Sequence, residues 1–402
     1  MTSFQEMTFS ELLSDAEVFV DGDWVESKDQ DPNGDVRLIQ LADIGDGFYI
    51  DKSSRFLNSE TAKRLKCTYL KEGDILVARM PDPLGRACIF PQSEMPCVTV
   101  VDVCIIRPNQ NKVDNRWLMH TINSPVMRQR INEYVTGTTR QRISRGNFSK
   151  LKVSVPSLAE QRRIAAILDQ ADVLRQKRQQ AIEKLDQLLQ ATFIDMFGDL
   201  TTDKIKFANV ALPVKNSFTN GPFGSDLLSS ELVSEGVPVI YIRDIRESVY
   251  KRVSESYVTM EKAQAISNCH VASGDILIAK VGDPPGTTAI YPLGEPDAVV
   301  TQDVIRIKPN IEVINSVYLW GLLNSDIGKH IMKPIIVEAT RSRFSLRDLK
   351  ALELPLPPLD LQEKWSKIAL SIEDQKQKLY KQLNMQNQLF SSLQNQAFNG
   401  TL

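Results

Sequence analysis

The sequence predicts an α+β protein of two tandem, pseudo-symmetric globular domains, each followed by a long helix, the two helices pairing as an antiparallel coiled coil. Three observations carry this expectation. The chain contains a copy of itself displaced by 201 positions, each copy holds short β-branched runs bounded by turn residues, and each closes on a long amphipathic stretch.

The copy is plainest where GDILVARMPDPLG at 73–85 returns as GDILIAKVGDPPG at 274–286. Asp43 and Asp244, Asp102 and Asp303, Pro108 and Pro309, Arg142 and Arg343, Pro156 and Pro357, Gln161 and Gln362, and Phe197 and Phe398 keep the offset. Over residues 73–109, 17 of 37 positions match their partners, where ordinary residue usage gives about two or three. A period of half the chain is not that of a solenoid or propeller, which repeats every ~20–50 residues. Each half is therefore a domain, with expected bounds 1–156 and 200–356, followed by long helices at 157–199 and 357–402.

Strands are expected at 38–44, 73–78 and 100–108, and again at 239–245, 274–279 and 303–309, where Val, Ile and Leu cluster between turn residues. Helices are expected at 58–66, 117–134, 260–267 and 317–333. The proline steps VSVPSLAEQ (153–161) and LPLPPLDLQ (354–362) then favour an extended lead into each long helix. Ser157 with Glu160, and Asp360 with Glu363, have capping-box spacing. Gly198 is expected to supply a left-handed cap to the first long helix, and Asn399 and Gly400 follow the second. At 1.5 Å per residue each helix is ~60 Å long.

In the first, Ile164, Ile167, Ala171, Leu174, Arg178, Ala181, Leu185 and Leu188 form a heptad seam. The second offers Trp365, Ile368, Ile372, Leu379, Leu383, Leu389 and Leu393, weakened by Gln375, Gln382 and Gln386. Pairing is the simplest use of both seams. The plainer alternative has each helix lying along its own globule.

Hydrophobic content of 42% with 24% charged residues is that of a water-soluble globular protein, no apolar run is long enough for a membrane span, and the start lacks signal-peptide order. A cytoplasmic protein is expected. Five cysteines without a CxxC pair and three scattered histidines read as buried reduced thiols and give no zinc or triad pattern. The net charge of −2 hides an asymmetry: residues 1–60 carry 14 acidic and 4 basic side chains, which leaves the remainder basic.

GDPPG at 282–286 invites comparison with a methyltransferase amine-binding loop, but Gly286 stands where the aromatic belongs, and a tight turn is the better reading. No Walker loop, HExxH or GxSxG occurs. No catalytic residue is expected.

The functional candidates are the acid-free segment at 137–152, with Thr139, Arg140, Gln141, Arg142, Arg145 and Lys150, and its counterpart at 339–350, with Thr340, Arg341, Ser342, Arg343 and Arg347. Short donors suit phosphates, and arginine suits guanine edges. A solvated loop is the plainer alternative. The turns after GDIL add Arg79 and Arg86 in one copy, and Lys280 and Thr287 in the other.

With these features the chain resembles a specificity subunit of type I restriction-modification enzymes. The likeness spans the GDIL-type strand, the basic Thr-Arg segment, the P-x-L-x-x-Q step and the long helix ending in Phe. It implies a non-catalytic subunit whose two target-recognition domains each read half of an asymmetric, gapped double-stranded DNA target. Its paired helices would act as spacer and dock two methyltransferase subunits, with two motor-nuclease subunits as further partners. It implies no cofactor in this chain: S-adenosylmethionine, ATP and Mg belong to the partners. A methylation-only or related phage-defence system is the alternative. Pro156, Gln161, Pro357 and Gln362 carry over as the joints between domain and helix.

Overall fold

Val103–Arg107 and Ile75–Ala78 pair antiparallel, with Ile75 opposite Ile106, and Val304–Ile307 and Ile276–Ala279 repeat the register with Ile276 opposite Ile307. Apart from Arg107 and Arg306, these runs are apolar on both faces because both faces are covered, so no alternating pattern marks them. The computed structural model describes residues 4–137, 141–199, 202–222, 224 and 226–402. The chain divides into unit 1, residues 1–179 with 381–402, and unit 2, residues 180–380, so each long helix contributes half its length to each unit.

In unit 1 a four-stranded antiparallel sheet runs Val18–Asp21, Val103–Arg107, Ile75–Ala78, Ala87–Ile89. A second sheet sets Val36–Ile39 between Phe56–Leu57 and the parallel strand Cys97–Thr99. Unit 2 has the same plan: Phe218–Asn220, Val304–Ile307, Ile276–Ala279, Thr288–Ile290, and a second sheet that gains His270–Val271 as a fourth strand. In each unit a short strand from the domain's start pairs with the last strand before the proline step, Gln5–Thr8 with Lys152–Val155 and Asp203–Lys206 with Glu353–Leu356.

The repeat offset is not uniform. Phe19 faces Ile106 and Phe218 faces Ile307, so the first strands correspond at 199 positions rather than 201. Gly22 and Gly221 are then equivalent, and GDWVES takes the place of GPFGS.

Two helix expectations are corrected. The stretch 117–134 is not one helix but Asn115–Ile122 and Pro125–Glu133, and 317–333 is Ser316–Asn324 and Asp326–Met332. Ser124 and Ser325 are the caps that break them: each side chain accepts from the N–H three residues on, and Pro125 has no N–H to continue the preceding turn. Asn123 and Asn324, just before each break, bond both backbone groups of Ala87 and Thr288 and lock the helix to the sheet.

The long helices span Leu158–Phe197 and Leu359–Asn399. Ser157 accepts from Glu160 N at 3.4 Å, whereas Asp360 is already inside its helix and is not the cap. Gly198 stays at negative φ and is no left-handed cap; Gly400, at +75°, is. Gln161 Oε1 accepts from Asp114 N and Gln362 Oε1 from Asn315 N, while both amides donate to the proline carbonyl of the step. The repeated glutamine thus ties helix to domain in both units.

Four cysteines are buried and Cys67 is half-buried; all five are free thiols. Among the described residues no helix is long and apolar enough to cross a membrane.

Candidate nucleic-acid interface

Each unit opens a cleft at the same place in the repeat. In unit 2 it has a volume of about 880 Å³, between the Tyr241–Glu247 turn, the Val281–Pro284 turn and the segment Ala339–Ser342. In unit 1 it is about 1090 Å³, between Gln40–Ala42, Met80, Val100–Asp102, and Gly137 with Arg142, and it extends over Asp23–Ser27. Leu41 and Ile242, Met80 and Val281, and Asp102 and Asp303 are repeat partners lining both.

The turn that frames each cleft is held from within. Asp43, fully buried, accepts from Gln40 N, Lys52 N and Ser53 N, and Asp244 from Tyr241 N, Val253 N and Ser254 N. The repeated aspartate is therefore structural.

Backbone bonds anchor the basic segments, and in unit 1 the Thr136 hydroxyl also donates to Arg142 O. Arg142 bridges Thr136, and Ile143 N donates to Arg79 O; Arg343 bridges Val337 and Val281, and Gly282 N donates to Ser342 O. A short helix follows each, Arg145–Ser149 capped by Ser144 and Leu346–Ala351 capped by Ser345. This leaves the Arg142, Arg341 and Arg343 side chains exposed. Arg142 lines the first cleft, and Thr340, Arg341 and Ser342 line the second. Gln141, Lys150, Arg343 and Arg347 are exposed without lining either cleft, and Thr139 and Arg140 lie outside the described residues.

Three of the expected contact residues are engaged within their own domain. Arg86 is 7% exposed and donates to the carbonyls of Ile44, Leu41, Met80 and Pro83, which leaves no edge for a base. Arg79 donates to Val101 O and Ile143 O and pairs with Asp21 at 3.2 Å. Arg145 donates to Phe19 O at 2.7 Å and lies over the Phe19 ring. Each arginine holds loops or strands of its own domain. Of the second-copy turn residues, Thr287 lines the cleft, whereas half-buried Lys280 does not and bonds Asp303 and Phe344 through its backbone.

Charge differs between the clefts. Among the described residues the first is lined by Asp23, Glu26 and Asp102 against Arg142, the second by Arg243, Arg246 and Arg341 against Glu247, Asp283 and Asp303. Lys28 and the Trp24 indole hold Glu26 below the usual carboxylate range, so it stays charged at neutral pH. Trp24, Tyr241, Arg243 and Arg246 escaped the sequence reading. The signal that finds them is the shift of offset, which aligns Trp24 with Phe223, and the fold of the 241–247 turn beside the basic segment.

The helix seam is displaced from the expected one. In unit 1, Ile164, Ala165 and Leu168 of the first helix join a core that also receives Ala397, Phe390 and Leu393 of the second. In unit 2, Leu189, Phe193 and Phe197 meet Trp365, Ala369 and Ile372, with Leu185 and Ile368 at the margin. Ile167 and Leu379 are half-buried, while Leu174, Leu188 and Leu389 are 55%, 50% and 56% exposed and are not seam residues. The helices pack on each other and on the globules at once, so the buried stripe follows the 3.6-residue helix period and slips by about one residue from a 3.5-residue heptad.

Between the apolar ends, beside buried Ile182, polar contacts link the helices: Arg175 with Asn387 at 2.7 Å and Arg178 with Gln382 in unit 1, and Lys376 with Asp186 at 2.6 Å in unit 2, where Glu373 of its own helix also meets Lys376 at 2.7 Å. Within each unit the paired numbers rise along one helix and fall along the other, which makes the pairing antiparallel.

The family model described as type I restriction modification DNA specificity domain matches residues 10–184 and 228–386, once over each half. The chain belongs to this family. It is 23% identical over 331 residues to the EcoBI specificity subunit of Escherichia coli, covering 75% of this chain and 68% of that one. To the putative MjaX specificity subunit of Methanocaldococcus jannaschii it is 22% identical over 324 residues, covering 75% and 72%. Among solved structures, the type I restriction-modification S subunit from M. genitalium superposes with a TM-score of 0.58 at 16% identity, covering 99% of this chain and 96% of that one. A chain solved in work on complex assembly and conformational transition of the type I R-M system gives 0.57 at 16% identity, covering 100% and 98%. The specificity-subunit fold is therefore that of this protein.

Proposed function

We propose that this specificity subunit reads a bipartite, gapped, asymmetric sequence in double-stranded DNA, with one cleft per half-site. The observation that carries the reading is the pair of equivalent clefts lined by different side chains. Matched frameworks give two readers of one kind, and unmatched linings give two different half-sites. Exposed arginine at the rim suits bidentate contact with guanine O6 and N7. Arg343, Arg347 and Lys150, outside the linings, suit phosphates.

The chain itself contributes no chemistry in this reading. Methylation belongs to two docked methyltransferase subunits that bind S-adenosylmethionine, and cleavage, where present, to motor-nuclease subunits using ATP and Mg. Leu174, Met385 and Leu389 on unit 1, and Leu188 and Leu370 on unit 2, leave apolar surface on the long helices that suits helical partners.

Methylated adenines mapped across the host genome, with and without this chain, give the test. A gapped motif that vanishes without the chain is expected. In the purified complex, Arg142→Ala with Arg341→Ala should relax both half-sites; undiminished discrimination would exclude these arginines as readers.

A further inference from the structure

Trp24 is the large apolar side chain at the rim of the first cleft, and the fold holds it there. Gly22 sits so close to the neighbouring strand that a Cβ would fall 2.3 Å from Val100 O. Gly22 N donates to Val103 O at 2.7 Å, Asp23 N to Thr99 O at 2.8 Å, and the Asp23 carboxylate accepts from Thr68 N at 2.9 Å. On this fixed base Trp24 projects with 69% of its surface exposed, its indole Nε1 donating to Glu26 at 3.1 Å. With most of its surface in solvent, the indole adds little to the domain's own packing. Large exposed aromatics on a fixed backbone are a mark of contact surfaces.

The surrounding charge selects what it contacts. Asp23, Glu26 and Asp102 outnumber Arg142 in the lining, and this net negative charge disfavours phosphate oxygens beside the indole. An indole among these carboxylates is thus placed for base edges rather than for the backbone. In the major groove the apolar feature of a base edge is the thymine C5-methyl. We infer that Trp24 is a specificity-determining residue of the first reader and packs on a thymine methyl in its half-site. The inference rests on the reading of this cleft as a DNA reader and adds the base class it selects.

The test uses the full chain assembled with its methyltransferase subunits and duplexes carrying the mapped target, in which each thymine of the half-sites is replaced singly by deoxyuridine. At one position the wild type should lose about fourfold in affinity, the scale of one buried methyl group. Trp24→Ala, whose exposed site leaves thermal stability unchanged, should bind thymine DNA more weakly and be indifferent to deoxyuridine at that position. A target without thymine in either half-site, equal binding by Trp24→Ala, or losses that simply add at every thymine would overturn the inference. A wild-type complex that discriminates no duplex sequence would instead bring down the reading of the cleft itself.

Discussion

Arg86 and Arg142 carry the same charge in the same domain, yet the fold uses them oppositely. Arg86 is enclosed by the carbonyls of Leu41, Ile44, Met80 and Pro83, whereas Arg142 meets its surroundings through its backbone and leaves its guanidinium exposed. Arg86→Ala should strand those acceptors and cost about 2–4 kcal/mol in chemical denaturation, while Arg142→Ala should stay within about 0.5 kcal/mol of the wild type and act on DNA discrimination. Equal stability losses would reverse the assignment. At the same scale, burial pushes the Cys67 and Cys88 thiols up to about 12, and Cys97, Cys104 and Cys269 upward as well. Few thiolates then exist at pH 8, so iodoacetamide should modify the native protein slowly and all five cysteines only on unfolding.

The helix pair places its polar key at equivalent positions, for Arg175 and Lys376 are 201 residues apart. Lys376 is buried; burial opposes its charge, but Asp186 and Glu373 hold its pKa above the usual lysine range. Lys376→Met should therefore destabilise unit 2 by about 1–3 kcal/mol at neutral pH. Because the folded pKa is the higher one, this contribution is complete below the unfolded lysine's ~10.4 and fades as pH rises through the folded value. Denaturation midpoints of wild type and variant should accordingly converge in strong alkali, and a gap that persists there would mean that packing, not charge, fixes the site. The long helices and their antiparallel pairing were legible because period and length survive in one dimension. The seam was not: Leu174, Leu188 and Leu389 are as apolar as Leu168 and Leu189, and only contact with the globules decides which side is buried. The clefts were half legible. The arginine segments stand out by charge, but Arg79, Arg86 and Arg145 look the same in sequence as arginines left in solvent. Trp24 was hidden by the two-residue shift in offset.

At the scale of the molecule the duplication yields two frameworks, each closed by halves of both long helices. If each framework reads one half-site, the helix pair is the element that sets the gap, since it is the only structure continuous through both units among the described residues. Four residues inserted after Arg178 and four more before its partner Gln382 add about one turn to both helices, ~6 Å, and keep antiparallel partners level. At ~3.4 Å per base pair the preferred gap should lengthen by about two base pairs, or binding should fail where the added rotation turns one reader off its groove. Methylation mapping of the paired-insertion variant reads the outcome. Both half-site sequences should persist unchanged while their separation grows; a target with its original gap would show that the spacing is set by something other than these helices.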